Sequence, residues 1–169
     1  MSDRSSLEEQ VVNKLIEKQF TISFAESCTG GLCAARIVNV PNASQVLNAS
    51  FITYANEAKI HYLDVKPETI AQYGVVSEEV AAQMAIGAAY KNNADIGVGI
   101  TGIAGPSGAT DKKPVGMVCF GFCRRAKNSD GSDAVHVRTD TRQFGSIGRQ
   151  QVRESSVAFV LETLLTFLS

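Results

Sequence analysis

The chain of 169 residues is 44% hydrophobic and 20% charged, the proportions of an ordinary globular protein. This composition excludes a disordered or fibrous chain, and the length predicts one domain over residues 1–169. The formal net charge of −1 argues against a nucleic-acid partner, and no apolar run reaches the roughly 18 residues of a membrane helix.

The predicted elements begin with helices that alternate with short strands. Ser5 and Ser6 precede Glu8 and Glu9 by three residues, which is the signature of a capping box at the start of a helix. Hydrophobic spacing and turn residues define the elements that follow. In chain order we predict helix 6–19, strand 21–25, helix 32–38, strand 49–54, a helical turn from Asn56 as its N-cap, and helix 67–72.

The second half adds a long Ala-rich helix, a buried strand and a late hairpin. Crossover units early in the chain and a hairpin late in it predict a mixed sheet with helices on both faces. The fold class is therefore α/β, a three-layer α/β/α sandwich. The elements are helix 78–91 capped by Ser77, strand 96–101, loop 102–113, strand 115–123, turn 128–131, strand 134–139 and a helix from Ile147.

The four cysteines do not indicate a metal site. The intervals between Cys28 and Cys33 and between Cys119 and Cys123 miss the C-x-x-C spacing of zinc and redox sites, and the chain has only two histidines. Because the N-terminus lacks the apolar core of a signal peptide, we expect a cytoplasmic, reduced and metal-free protein. Cys28 stays open as a nucleophile, since a helix start lowers a thiol pKa.

The most informative segment is Glu26-Ser27-Cys28-Thr29-Gly30-Gly31, which lies between a predicted strand and a predicted helix. Such corners present nucleophiles, and free amides near Thr29, Gly30 and Gly31 would bind an anion or an oxyanion. Two interpretations stay open at this point. Ser27 is a nucleophile, or either Ser27 or Thr29 is only the N-cap of the helix.

A serine nucleophile needs a base, and the chain has neither the G-x-S-x-G nor the S-x-x-K pattern. Lys59 follows the second predicted strand and would meet Ser27 at one sheet edge if the first two strands are neighbours. Lysine serves as a base only if desolvation lowers its pKa from about 10.4 toward neutrality. The alternative for Lys59 is a solvated side chain in the first turns of a helix.

Residues 97–102 match the dinucleotide pattern G-x-G-x-x-G, but their glycines fall within a strand and no helix follows. We therefore exclude NAD as a cofactor. The stretch 101–108 is a loop whose exposed amides suit a phosphate or a carboxamide, with a plain turn as the alternative. The candidate substrate-binding residues of this loop are Thr101, Gly102, Gly105 and Ser107.

Basic residues are concentrated in one part of the sequence. Residues 112–153 hold nine Lys or Arg against three Asp, whereas the remainder holds seven basic and fourteen acidic residues. A local positive field of this kind suits a small anion such as a phosphate. Solvated faces of hairpin strands would produce the same pattern, so charge alone does not decide between the two interpretations.

The chain contains four further motifs, at residues 25–31, 54–59, 74–77, and 102–106 with 113–116. Taken together, they resemble the CinA C-terminal domain family, whose stand-alone members include nicotinamide mononucleotide deamidases. The resemblance implies an α/β/α fold and hydrolysis of the carboxamide of that mononucleotide, without a metal or organic cofactor. It also implies a serine-lysine site with Ser27 as nucleophile, Lys59 as base and Tyr54 close by, where Tyr54 orients the lysine or covers the pyridine ring.

One departure from the family pattern follows Phe144-Gly145, where the family usually has Asp-Arg and this chain has Ser146-Ile147. The next arginine, Arg149, comes two places after Ile147. This departure motivates an alternative function, a non-catalytic nucleotide-binding or interaction relative of the same fold. We also expect a homo-oligomer, in which the Ala-rich helix Val80–Tyr90 pairs between subunits or is buried within its own.

Overall fold

Five strands form one mixed sheet in the part of the chain that the computed structural model describes, residues 5–169. The strands are β1 (Ile22–Glu26), β2 (Phe51–Ile52), β3 (Ile96–Gly102), β4 (Met117–Lys127) and β5 (Asp133–Gln143). Their order across the sheet is β2-β1-β3-β4-β5. The first three strands are mutually parallel, whereas β4 and β5 run antiparallel to their neighbours.

In the same described part of the chain, six α-helices cover the two faces of this sheet. They are α1 (Leu7–Lys18), α2 (Leu32–Val38), α3 (Asn56–Leu63), α4 (Pro67–Tyr73), α5 (Glu78–Lys91) and α6 (Arg149–Phe167), with a 3₁₀ turn at Ala43–Gln45. Within residues 5–169, no helix combines the length and the apolar character that crossing a bilayer requires.

Strand β3 shows how the sheet separates the two helical layers. Its side chains Ile96, Val98 and Ile100 are fully buried in one hydrophobic core with residues of α1, α2 and α6. The alternate positions, Gly97 and Gly99, face α5 on the other side. Alternation along a strand sends successive side chains to opposite faces. The predicted three-layer α/β/α sandwich with a mixed sheet is therefore confirmed.

The glycines of the misleading dinucleotide pattern let α5 approach the sheet closely. A Cβ atom added at Gly97 would lie 2.0 Å from the carbonyl oxygen of Ala85, and one at Gly99 would lie 2.2 Å from that of Ala81. These positions therefore serve packing, because glycine in a strand permits a close backbone approach. The buried face of α5 packs on the sheet and helices of its own chain, as the intramolecular interpretation of this helix expected.

The predicted start of a helix agrees best with the structure where a side chain caps the helix. The Ser6 hydroxyl accepts from the amide of Glu9 and the Glu9 carboxylate accepts from the amide of Ser6, so the capping box is confirmed. Ser77 likewise caps α5. By contrast, Asn56 is the first residue of α3 rather than its cap. Strand β2 is shorter than predicted and β5 is longer.

The register of the parallel strands brings three hydroxyl residues to one sheet edge. Glu26 is level with Ile52 on one side and with Ile100 on the other. The next residues along these strands are Ser27, Thr53 and Thr101, which therefore lie at the carboxyl ends of three adjacent parallel strands. Open α/β sheets bind their ligands at this edge.

Candidate active site

A cavity of about 320 Å³ opens at the carboxyl ends of β1, β2 and β3. This volume is at the lower end of the range for small-molecule sites. It is enclosed by the turn after β1, the start of α3, the segment before α5, the loop after β3 and the start of α6. The lining residues are Ser27, Cys28, Tyr54, Asn56, Lys59, Val75, Val76, Thr101, Gly102, Ile103, Ala104, Gly105, Ser107, Gly108 and Arg149.

The cavity brings Ser27 and Lys59 into direct contact. The Nζ atom of Lys59 lies 3.1 Å from Oγ of Ser27, within hydrogen-bonding distance. Lys59 is only 1% exposed although it is a lysine, and Ser27 is 9% exposed. Strand adjacency, on which the sequence argument relied, holds because β1 pairs directly with β2. The solvated interpretation of Lys59 is wrong.

Backbone carbonyls and burial define the state of Lys59. Its amine also donates to the carbonyl oxygens of Thr53 at 2.7 Å and of Tyr54 at 3.3 Å. Within residues 5–169, no carboxylate lies within ion-pairing distance of this amine. Loss of hydration lowers the pKa of Lys59 from 10.5 to about 8, since burial penalises the ammonium form.

Glu26, the residue before Ser27, accepts hydrogen bonds from the backbone amides at the start of α2. Its carboxylate is fully buried and accepts from the amides of Gly31, Cys33 and Ala34 at 3.0, 3.2 and 3.0 Å. A carboxylate at a helix N-terminus is stabilised by these free amides and by the helix dipole. The capping interpretations of Ser27 and Thr29 are therefore wrong, since Glu26 satisfies this helix start.

The hydrogen bonds within the turn after β1 determine which of its backbone amides are free to bind an anion. The amide of Gly30 donates to the carbonyl of Ser27, and that of Gly31 donates to Glu26. Thr29, Gly30 and Gly31 do not line the cavity, and the buried hydroxyl of Thr29 has no hydrogen-bond partner among residues 5–169. The amides of Cys28 and Thr29 have no acceptor among residues 5–169, and of these two residues Cys28, which follows Ser27 directly, lines the cavity.

Cys28 and Arg153 show how this turn is held. Burial raises the pKa of the Cys28 thiol to about 12, so the thiolate needed for a cysteine nucleophile is disfavoured at neutral pH. Arg153 in α6 donates from Nε to the carbonyl of Cys28 at 2.9 Å and from Nη2 to that of Thr29 at 3.1 Å. The guanidinium therefore fastens the turn to α6.

Tyr54 and Arg149 meet at the mouth of the cavity. Tyr54 is 62% exposed, and its hydroxyl accepts from Nη2 of Arg149 at 2.9 Å. The Nη1 atom of Arg149 donates to the carbonyl of Gly105 at 2.8 Å. Arg149 was not among the predicted site residues. The four-residue spacing of Arg149 and Arg153, which puts both on one face of α6, is the signal that would have found it.

The loop after β3 forms the remaining wall and brings the other predicted residues to the cavity. The hydroxyl of Thr101 donates to the carbonyl of Val75 at 2.9 Å, which ties this loop to the segment before α5. Gly102, Gly105 and Ser107 all line the cavity. In the described part of the chain, the amides of Gly105 and Ser107 donate to no protein acceptor, which leaves them available to a ligand.

No group of three or more His, Cys, Asp or Glu side chains within residues 5–169 is placed to hold a metal ion.

Comparison with protein families and curated proteins gives one consistent answer. The sequence model of the CinA C-terminal domain matches residues 4–168. A CinA-like protein of Kosmotoga olearia is 53% identical over 144 residues, which are 82% of this chain and 35% of that protein. A competence-damage inducible protein of Clostridium novyi is 45% identical over 159 residues, 94% of this chain and 36% of that protein. The chain thus spans about a third of these relatives.

Solved structures agree with the sequence match. A CinA superfamily protein from Klebsiella pneumoniae superimposes with a TM-score of 0.86 at 30% identity, over 96% of this chain and 95% of that one. A competence/damage inducible protein from Agrobacterium tumefaciens gives 0.81 at 36% identity and covers 100% of both chains. These names describe competence and damage, and they specify no reaction.

Proposed function

Because this chain belongs to the CinA C-terminal domain family, we propose that it hydrolyses the carboxamide of nicotinamide mononucleotide to nicotinate mononucleotide and ammonia. The observation that carries the proposal is the buried amine of Lys59, 3.1 Å from the Ser27 hydroxyl inside a cavity. An amide is attacked by an activated nucleophile, and serine with an adjacent base is one standard solution.

The surroundings of Lys59 suit a neutral amine. A neutral amine carries two N–H bonds and one lone pair. The carbonyls of Thr53 and Tyr54 accept the two N–H bonds, which directs the lone pair to the hydroxyl of Ser27. With a pKa of about 8, roughly one lysine in ten is neutral at pH 7. Lys59 is then a general base whose pKa lies close to the working pH.

The reaction proceeds in two halves. Lys59 accepts the Ser27 proton while Oγ attacks the carboxamide carbon, and the resulting oxyanion is stabilised by the free amide of Cys28. Lys59 then returns the proton to the leaving nitrogen, ammonia departs, and the nicotinoyl group remains as an ester on Ser27. In the second half Lys59 takes a proton from water, the hydroxide attacks the ester, and the proton returns to Oγ as nicotinate mononucleotide leaves.

The mouth of the cavity supplies groups for the rest of the substrate. The phosphate is held by Arg149 and by the free amides of the loop at Gly105 and Ser107, since guanidinium and amide groups are strong donors to phosphate. Tyr54 offers an exposed aromatic ring beside Arg149. We propose that it covers the pyridine ring.

The test is ammonia release from nicotinamide mononucleotide by Ser27→Ala and Lys59→Met. Each variant removes one of the two reacting groups and is therefore expected to lower kcat by at least about 10³-fold. Both substitutions keep the buried side chain similar in size, which limits any effect on folding. The matched control is Cys28→Ala, which alters the neighbouring side chain and leaves its backbone amide in place. It should retain most of the activity. Near wild-type kcat in either test variant contradicts the assignment.

The alternative is a non-catalytic relative that binds the nucleotide without turnover, motivated by Ser146-Ile147. Arg149 weakens that motive, because it lines the cavity even though it comes two places later in the sequence. Isothermal calorimetry distinguishes the two functions. Binding of the mononucleotide by the wild-type protein without release of ammonia would favour the alternative.

A further inference from the structure

The outer edge of β5 is a long unpaired strand edge. β5 has eleven residues and pairs with β4 on one side, and no other strand among residues 5–169 pairs with it. Val135 and Val137 are 40% and 41% exposed on this strand. An edge of this length offers a row of free amide and carbonyl groups and is a template for pairing with another chain.

Hydrogen bonds at the two ends of the hairpin fix which backbone groups point outward. The amide of Asn128 donates to the carbonyl of Ser132 at 2.8 Å, and the amide of Phe144 donates to that of Gly116 at 2.9 Å. In an antiparallel pair, hydrogen-bonded positions alternate. Even-numbered residues of β5 therefore bond to β4, and the odd-numbered residues 133–143 direct their amide and carbonyl groups outward.

We propose that a second copy of this chain pairs with β5 in antiparallel fashion about a two-fold axis through Thr139. Only the odd-numbered residues have free backbone amide and carbonyl groups, so an odd-numbered residue of one copy must pair with an odd-numbered residue of the other. Centred on Thr139, this register puts Arg138 of each copy opposite Asp140 of the other. A shift of the axis by one residue to Arg138 would oppose two arginines, and a shift to Asp140 would oppose two aspartates.

Charge complementarity thus favours one register. Opposite charges directly across a strand pair stabilise it, whereas like charges destabilise it. Asp140 already lies between two basic side chains of its own strand, 3.4 Å from Arg138 and 3.7 Å from Arg142, so its carboxylate is turned to the face where the partner's arginine arrives. The β5 edge carries both positive and negative side chains. It therefore differs from strand edges on which charges of a single sign prevent pairing with another chain.

The exposed valines belong to the opposite face of the same interface. Val135 and Val137 alternate with the charged residues and lie on the α5 side of the sheet, where Tyr90 is also 40% exposed. In the proposed register Val137 lies across from Thr141 and Val135 lies across from Gln143. Pairing therefore covers apolar surface on one face and pairs charges on the other, and it doubles the five-stranded sheet. This dimer is independent of the proposed chemistry.

Charge exchange tests the register. The dimer dissociation constant is measured by sedimentation velocity between about 1 and 100 µM protein. Arg138→Asp alone or Asp140→Arg alone puts like charges together twice per dimer and should raise the constant at least about tenfold. The double variant Arg138→Asp/Asp140→Arg restores opposite charges and should return it to within about threefold of wild type. Lys66→Asp and Glu162→Arg reverse exposed charges elsewhere and should leave it unchanged.

Cross-linking tests the axis. Residues of a hydrogen-bonded antiparallel pair have Cα atoms about 5.5 Å apart, which is within disulfide range. Thr139→Cys should therefore give a disulfide-linked dimer on mild oxidation, whereas Val135→Cys, more exposed on the same strand, should not. The native cysteines are buried. A wild-type monomer at the highest concentration, a dimer that the single charge variants leave intact, or cross-linking at Val135 instead of Thr139 would overturn the proposal.

Discussion

Lys59 shows how burial gives an ordinary side chain a chemical role. The Lys59 side chain is 1% exposed, and its amine contacts two carbonyl oxygens and one hydroxyl, none of which carries a charge. A neighbouring carboxylate would raise its pKa again, but Glu26, the acidic residue that precedes Ser27, directs its carboxylate to the amides of Gly31 and of α2. The pKa of Lys59 therefore stays near 8.

This state of Lys59 predicts the pH dependence of the proposed deamidation. The neutral amine is the active form, so kcat/KM should rise about tenfold per pH unit below 8 and level off above it. The substrate phosphate titrates near pH 6, well away from this step. Steady-state rates of ammonia release between about pH 6 and pH 10 provide the measurement. A rate that is flat across this range, or that falls with rising pH, would rule out Lys59 as the base.

For individual residues, the sequence predicted that Ser27 and Lys59 lie at the same sheet edge, but it did not predict which groups surround them. Strand adjacency was enough to bring the two residues to one edge. The burial of Lys59 depends on how α3 packs, and the role of Glu26 depends on the direction of three backbone amides. Neither is encoded in a local pattern. Arg149 lies far from Tyr54 in the sequence, so its contact emerges only from the tertiary fold.

Among the elements, α5 depends on glycines in the sheet beneath it. The side-chain space at Gly99 is taken by the carbonyl of Ala81 at 2.2 Å and the amide of Ala85 at 2.7 Å from an added Cβ. These are backbone atoms of a helix, which cannot rotate away. The segment before α5, Val75 and Val76, lines the cavity, so the seating of this helix also positions one wall of the site.

We predict that Gly99→Ala lowers the free energy of unfolding by about 3 kcal/mol, because the helix must shift to make room for one methyl group. Thermal or urea unfolding followed by circular dichroism measures the change. The control is Gly131→Ala, which adds the same atom in open space at φ +83° and should cost about 1 kcal/mol for its backbone conformation alone. Equal losses in the two variants would show that close packing of α5 is not the cause.

Element boundaries were predictable where the signal was local and failed where it was tertiary. The capping box fixed the start of α1 and Ser77 fixed that of α5. β5 runs to Gln143, beyond the predicted strand, and the hydroxyls of Thr139 and Thr141 there donate to Glu78 at 2.6 and 2.7 Å. That contact joins residues about 60 positions apart and leaves no periodic trace in the sequence.

Over the whole molecule, the basic part of the sequence, residues 112–153, makes several different kinds of contact. Several of its cations pack on aromatic rings, and others donate to backbone carbonyls of their own chain. Arg149 is the basic residue of this stretch that lines the cavity, and it lies beside free loop amides. Of the two interpretations of this stretch, the one that supplies a cation for a small anion therefore rests on Arg149. The packed pairs are Arg124 on Phe20, Arg125 on Tyr90 and Arg142 on Phe159.

If Arg149 holds the phosphate, salt should weaken substrate binding through this residue. Raising salt from about 0.05 M to about 0.3 M shortens the screening length and should raise KM for the mononucleotide a few fold with little change in kcat. KM for the corresponding riboside, which lacks the phosphate, should stay constant. Arg149→Gln should raise KM for the mononucleotide about tenfold and remove its salt dependence, since a charged hydrogen bond is lost.

A control variant distinguishes the loss of phosphate binding by Arg149 from the loss of its hydrogen bond to Tyr54. Tyr54→Phe removes the hydroxyl that accepts from Nη2 of Arg149 and leaves the guanidinium and the aromatic ring in place. It should therefore keep the wild-type salt dependence of KM. Were Arg149→Gln to keep that dependence as well, a charged group other than Arg149 would have to hold the phosphate, which would contradict the role proposed for this residue.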